Sequence, residues 1–480
     1  MSVLNDLNPK AVFEYFEMLS AIPRGSGDTA KIADFCIDFA KKNSLKSVRD
    51  SADNVIIFKE ASKGYEKAEP IILQGHLDMV CQKKNGNTKD FSNDGIDLLI
   101  EDGFIKADGT TLGADNGIAV AMIMAILADK TLCHPAIEAV FTSDEEIGMI
   151  GASKLDFSLL SAKRMINLDS EELDVLTVSC AGGAELITSV ELKRQTKQGT
   201  KVNITLKGLK SGHSGVDINK GRVNACILAG RLLNYLSNSS EISLISIRSG
   251  SKPNVIPNEC FIELCCDSPL KLIGTAEEYL FQLKEEISAR ESSFSFDFSI
   301  KETESFSVLT DTSLKNIIYI LNCVPNGVTE MSAEIEGLVE TSLNLGIMKT
   351  EEKMLYLVQA LRSNKSSSLS YLEEKLKCFF SMFPAVCASS GHYPPWEFKE
   401  NSSLQELYKK IYKQTTGNEI KVEAIHAGLE CGVFASNIKD FDCIAIGPQL
   451  YDVHTVNERL DIQSVTIIYE ILLKILAELG

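Results

Sequence analysis

What the chain lacks narrows its function first. No Lys/Arg cluster stands out, and 48 Lys+Arg against 66 Asp+Glu leave a formal net charge of −18, so nothing is arranged to neutralise a phosphate backbone. Nucleic acid and anionic membrane are therefore set aside as partners. The longest apolar stretch, Gly117 to Ala128, is too short to span a bilayer. The start, Met1-Ser-Val-Leu-Asn-Asp-Leu-Asn, has no basic segment leading into an apolar one, so a cytoplasmic location is expected. The 13 Cys are scattered, with no C-x-x-C and one close pair, Cys265-Cys266; that pattern suits buried, reduced thiols better than disulfides or a thiolate zinc site. H-E-x-x-H, Walker A and G-x-S-x-G are absent as well, which removes motif support for zincins, P-loop proteins and serine hydrolases. Gly25-Ser-Gly-Asp-Thr-Ala fits G-x-G-x-x-A, yet it follows a helical pattern at Ala11 to Leu19. It reads as a loop and helix cap, not a dinucleotide fingerprint.

What is present is enough apolar content, 44% over 480 residues, for more than one domain. In the first third, helical patterns (about Thr29 to Lys42, capped by Asp28, and Gly117 to Lys130) alternate with short apolar runs at Pro70 to Gln74, Ala136 to Thr142 and Arg164 to Leu168. That alternation predicts an α/β domain with a mixed sheet flanked by helices. From about Leu186 the texture changes to polar-alternating strands (Lys201 to Gly208, Ile242 to Arg248, Ile256 to Cys266) around helices near Val223 to Leu236 and Ala276 to Arg290. A similar order recurs from Ser313 to Met382, so an α+β insertion is expected, with the recurrence read as two subdomains. Boundaries follow at 1–185, 186–390 and 391–480, the last segment returning to α/β texture with a strand at Asp442 to Ile446 and a final helix from Ser464.

Only six His occur, so each can be weighed. His76 and Asp78 follow the Pro70 to Gln74 strand, and their i, i+2 spacing points both side chains to one face; a polar strand end is an equally good reading of the pair. Asp115 precedes the Gly117 helix, where an Asp ordinarily caps. Glu145 and Glu146 crowd the end of the Ala136 strand beside Asp144, and Asp169 ends the Met165 strand beside Glu171 and Glu172. Taken singly, acidic turns are solvated faces. Taken together, four such sites fall where ligands gather in open α/β sheets. His and carboxylate donors without thiolates suit Zn, Mn or Co, and paired metals are a known device for hydrolysis.

The segments Gly75-His-Leu-Asp, Leu112-Gly-Ala-Asp-Asn-Gly, Asp144-Glu-Glu-Ile-Gly and Asn167-Leu-Asp, in this order along the chain, resemble the signature of the M20 metallopeptidases. Ile425-His-Ala-Gly-Leu-Glu-Cys-Gly and Asp452-Val-His-Thr are similar to a dipeptide-cleaving branch of that family. The resemblance implies a catalytic α/β domain interrupted by a lid, and two divalent metal ions, zinc first, with Mn or Co as alternatives. It implies His76 and Asp169 on one metal, Glu146 and His454 on the other, and Asp115 bridging them. Asp78 would orient His76, and Glu145 would be the general base. His213 would reach over the scissile carbonyl, while Asn254 and Arg362 would grip the substrate carboxylate. His426 and Glu430 would either meet the substrate's amino group or support neighbouring groups. His134 and His392 read as structural. The implied substrates are dipeptides with free termini, Xaa-His among them, and the implied assembly is a homodimer through the lid. Rival readings are a tripeptidase, a β-alanyl dipeptidase or an N-acyl amino acid amidase of the same family, or a non-catalytic metal-binding scaffold; retention of Glu145 speaks against the scaffold.

Overall fold

Short, fully buried runs become parallel strands in this chain. Ile71–His76 and Ile137–Thr142 are buried at every position, as a strand covered on both faces must be. The computed structural model describes residues 3–480, which divide into two compact units. The first comprises the residues up to Cys180 together with Phe398–Ala424 and Leu429–Gly480; the second comprises Ala181–Glu397 and Ile425–Gly428.

The first unit is built on an eight-stranded sheet in the order Lys46–Arg49, Val55–Lys59, Ile137–Thr142, Ile71–His76, Arg164–Asn167, Asp442–Ala445, Val175–Cys180, Lys421–Ile425. Ile71–His76 runs parallel to both neighbours, and Arg164–Asn167 parallel to Asp442–Ala445. Val55–Lys59 and Val175–Cys180 pair antiparallel on either side of this block. The sheet is therefore mixed, as the alternation predicts, and the C-terminal ends of its parallel strands share one edge. Ala114–Ala128, apolar nearly all round, packs on the Ile71–His76 strand and on the helix Lys10–Ser20; burial on all sides is what such a composition requires. A small antiparallel sheet joins Leu98–Glu101 and Phe104–Ala107 to Arg459–Asp461 and Leu450–Tyr451. Two helix starts differ from expectation. The helix Ala30–Lys42 is capped at Thr29, not Asp28, without a side-chain bond, and the last helix, Ile462–Glu478, starts ahead of Ser464 with Asp461 as its cap, the carboxylate accepting from the Ser464 amide.

The second unit is a nine-stranded sheet covered by the helices Ala225–Ser239, Pro269–Ile287, Asp311–Cys323 and Ser366–Phe380. Its main path runs Ser295–Leu309, Arg194–Lys207, Cys260–Cys266, Ser243–Ser249, Val339–Thr350, Met354–Ser363, Gly182–Glu191, Ala385–Tyr393, with Gly327–Met331 paired to Val339–Thr350. The recurrence of elements is nested, not serial. Arg194 to Leu309 forms one strand–helix–strand–strand–helix–strand set; the other opens with Gly182–Glu191 ahead of it and resumes at Asp311. In both sets the strands lie in the order last, first, third, second, and the two sets meet where Arg248 faces Lys349 and Ser249 faces Met348. Gly182–Glu191 pairs with Met354–Ser363, far away in sequence, so no local pattern shows where the second set starts. Among the described residues, no helix is long and apolar enough to cross a membrane. The cysteines are free, and Cys133, Cys323 and Cys378 are exposed, against the expectation that they are buried.

Candidate metal centre

The edge formed by the parallel strand ends collects His76 at the end of its own strand, Glu145 and Glu146 just past Thr142, and Asp169 just past Asn167. Asp115 comes to the same place from the helix side. Gly113 turns there through a left-handed φ of +69°, where a side chain is strained, and Asp115 and Asn116 both leave helical φ/ψ. Asp115 is thus not the helix cap that its position suggests: its carboxylate turns to the histidines. Asn116 ties the segment down by donating from Nδ2 to the Leu168 carbonyl at 2.8 Å and accepting at Oδ1 from the His76 amide at 3.1 Å. Gly75 makes room for this, since a Cβ there would stand 2.5 Å from the Asn116 Oδ1.

The five expected ligands converge. His76 Nε2 lies 3.1 Å from Asp115 Oδ1 and 3.3 Å from Asp169 Oδ1. His454 Nε2 lies 3.0 Å from Asp115 Oδ2 and 2.9 Å from Glu146 Oε1. The two oxygens of Asp115 therefore face different imidazoles. One ligand atom each from His76, Asp115 and Glu146 fits within a mutual 4.8 Å. His76 Nδ1 donates to the main-chain oxygen of Asp78 at 3.1 Å, with the Asp78 carboxylate farther off at 3.5 Å, and in the neutral imidazole this leaves the Nε2 lone pair, on the side of Asp115 and Asp169, as the one that can ligate a cation. The Asp78 carboxylate instead accepts from the Glu145 amide at 2.9 Å, the Glu146 amide at 3.2 Å and the Ser26 hydroxyl at 2.8 Å. It holds the turn that carries both glutamates.

Charge at this edge is crowded and mostly negative. Burial raises the Asp169 carboxyl to about 6, with Asp115 and Glu146 repelling it and His76 opposing. Burial likewise raises Glu145 well above the carboxylate range; His76 counteracts this, and the charges of Asp169, Glu430 and Glu146 add to it. Hydrogen bonds to Asp115 and Glu146 lift His454 to about 11. His76 is raised although burial opposes it, through Asp169, Asp115 and Asp78. Asp115 is pulled low by the two histidines against its burial. Such a set of carboxylates and imidazoles, without a thiolate, fits hard or borderline divalent cations, whose charge would replace that of the protonated imidazoles.

The profile of peptidase family M20/M25/M40 matches residues 72–478. The chain belongs to this family. The chain is similar to the cytosol non-specific dipeptidase of Escherichia coli (strain K12), 34% identical over 483 residues that cover 100% of this chain and 99% of that one. Among solved structures, the aminoacylhistidine dipeptidase from Vibrio alginolyticus superposes with a TM-score of 0.91 at 34% identity, covering 99% of this chain and 98% of that one. A tripeptidase from Staphylococcus aureus shares the fold at a TM-score of 0.56 and 15% identity, over 98% of this chain and 99% of that one.

The remaining candidate residues of this M20 chain fall in two places. Glu430 is fully buried in the first unit, where its Oε2 accepts from Gln74 and Thr142. The others lie in the second unit. Arg362 is 8% exposed and donates to the Tyr393 hydroxyl at 2.7 Å, and its Nη2 lies 3.4 Å from His213 Nε2. Burial, with Arg362 beside it, lowers His213 to about 4 against the pull of Asp217, so its imidazole is neutral at pH 7. His426 is buried between Ser342 and Asn364, at 2.7 and 3.1 Å, and lowered to about 3 by burial and then by Arg362 and His213. Asn254 is exposed, and its main-chain oxygen accepts from the Ser214 amide at 2.9 Å.

Two anchoring residues escaped the sequence reading. Glu458, 3% exposed, receives the amides of Leu112 at 2.8 Å, Gly113 at 3.1 Å and Ala114 at 2.9 Å. Arg24, equally buried, donates to the carbonyls of Leu77 at 3.0 Å and Gly113. Together they fasten the loop that carries Asp115 to the segment that follows His76.

Proposed function

We propose that this M20 chain is a cytoplasmic dipeptidase that works with two divalent cations, zinc first, with manganese or cobalt as alternatives. The observation that carries this reading is the splitting of the Asp115 carboxylate between His76 and His454. Asp115 would be shared, with His76 and Asp169 completing one cation's ligands and Glu146 and His454 the other's. Bound there, such cations supply an acidified water and a polarised carbonyl.

The chain's own groups do the rest. Glu145, its amide held on Asp78, is the general base: it takes a proton from the attacking water and gives one to the leaving amine. His213, neutral and beside Arg362, is proposed to stabilise the developing oxyanion. Arg362 and Asn254 are proposed to bind the substrate carboxylate. The names of the full-length relatives support dipeptides as substrates, Xaa-His among them.

The test is to strip the protein with a chelator, verify removal by elemental analysis, and assay dipeptides, tripeptides and N-acyl amino acids. Dipeptide hydrolysis should vanish and return with Zn, Mn or Co. Full turnover by metal-free protein would refute the cation dependence, and preference for tripeptides or N-acyl amino acids would refute the substrate class.

A further inference from the structure

We propose that Glu430 is a positioning residue for one half of the centre, the half that carries His76 and Asp169. The inference rests on the two-cation reading above. It begins with strand register: Gln74 lies opposite Asn167, and His76 opposite Thr142, on adjacent parallel strands. Register partners and i, i+2 neighbours share a face, so these four polar side chains emerge together beneath the strand ends. Gln74, Thr142 and Asn167 are 0% exposed, and buried polar groups need partners.

Glu430 supplies the acceptor. It opens the helix Glu430–Asn437 and is itself 0% exposed. Its Oε2 accepts from Gln74 Nε2 at 2.5 Å and from the Thr142 hydroxyl at 2.6 Å. Gln74 Oε1 in turn accepts from Asn167 Nδ2 at 2.5 Å, and Asn167 Oδ1 accepts from the Asp169 amide at 3.2 Å. Gln74 also receives the Leu168 amide on its main-chain oxygen at 2.9 Å. An unbroken run of hydrogen bonds thus joins Glu430 to the main chain that presents Asp169, through a residue two places before His76. Glu146 is held differently, by its amide on Asp78, and His454 belongs to a separate loop.

The run of bonds continues as far as the Asp169 amide on one side and ends at the Thr142 hydroxyl, four residues short of Glu146, on the other, so the expected defect falls on the Asp169 half. The needed group at position 430 is an acceptor for two donors; a glutamine carbonyl serves, and a leucine does not. Groups that orient metal ligands are worth about 10–100-fold in metal affinity. Zinc titration of the full-length metal-free protein, read by competition with a chromophoric chelator, tests this together with thermal unfolding and kcat at rising zinc. Wild type and Glu430→Gln should bind two zinc ions alike. Glu430→Leu should lose about 10–100-fold at one of the two sites only, with kcat recovering in excess zinc and KM unchanged. Thr142→Val, which removes one donor and keeps the shape, should shift the same site by less and covers the case in which Glu430→Leu does not fold. Unchanged affinities in Glu430→Leu and Thr142→Val, equal losses at both sites, or Glu430→Gln behaving like Glu430→Leu would overturn the assignment. A wild-type chain that binds only one ion would instead overturn the two-cation reading on which it rests.

Discussion

Replacing Glu458 should damage both the stability of the first unit and its metal affinity, although the residue touches neither imidazole. Its carboxylate is the common acceptor for the Leu112, Gly113 and Ala114 amides, at 2.8, 3.1 and 2.9 Å, with the Asp115 amide farther away at 3.5 Å. Hydrogen bonds to a charged group contribute ~1.5–3 kcal/mol each, so three set a ceiling of about 9 kcal/mol. Relaxation of the loop lowers this, and a loss of about 3–5 kcal/mol is expected for Glu458→Ala, the range for breaking a buried charged contact. Glu458→Gln keeps the size but turns an amide NH2 toward some of the same donors, so it should fall between Ala and wild type. Since Asp115 would then lose its fixed approach, zinc affinity should drop about 10–100-fold as well. Differential scanning calorimetry of metal-free protein gives the first quantity and chelator competition the second. The reasoning fails if Glu458→Ala unfolds within 0.5 kcal/mol of wild type, the scatter of ordinary surface substitutions, or binds zinc as tightly.

Three further outcomes follow from the site. Glu145→Gln should retain two zinc ions and the wild-type fold while kcat falls by about 10²–10⁴-fold; near-normal kcat would move the base role to another acid of the same turn. His454, lifted to about 11 by Asp115 and Glu146, holds a proton at neutral pH that a cation must displace. Zinc uptake should therefore release protons and its apparent affinity should rise between pH 6 and 8, as calorimetry in buffers of different ionisation heat would report; a pH-independent affinity contradicts it. Finally, if Arg362 meets the substrate carboxylate, C-terminally amidated dipeptides should be poor substrates for the wild type, and Arg362→Ala should shrink that difference; equal cleavage of amidated and free dipeptides by the wild type would remove the clamp.

The proposed ligands and base could be singled out because most sit beside a local signal, His76 at a strand end, Glu145 and Glu146 after a buried run, Asp115 in a Gly-rich turn before an apolar helix, and the resemblance then gave them roles. The residues that hold those ligands in place carry no such signal. Glu458 meets its partners 344 to 346 positions away in sequence, and Glu430 meets Gln74 across 356, so neither contact leaves a spacing to read. Local propensity also misled where tertiary demands overrode it. Asp115 has the sequence position of a helix cap, yet Asn116, Gly113 and Glu458 bend the backbone out of helical geometry and free its carboxylate for the two histidines.

The same contrast explains the second unit. The strands Arg194–Lys207, Ser243–Ser249 and Cys260–Cys266 and the helices Ala225–Ser239 and Pro269–Ile287 were readable one by one, because helical and strand periods are local. Their nesting was not, since the strand that opens one set, Gly182–Glu191, is separated from its partner Met354–Ser363 by the whole of the other set. Sheet register is fixed by which faces can be buried together, a property of the pair and not of either strand. In this unit His213, bridged to Val255, and Arg362, on a strand paired with both Gly182–Glu191 and Val339–Thr350, stand 3.4 Å from each other although 149 residues apart. A substitution that weakens the sheet between Val339–Thr350 and Met354–Ser363 should therefore act on Arg362 before it acts on the metal ligands, whose strands belong to a different sheet.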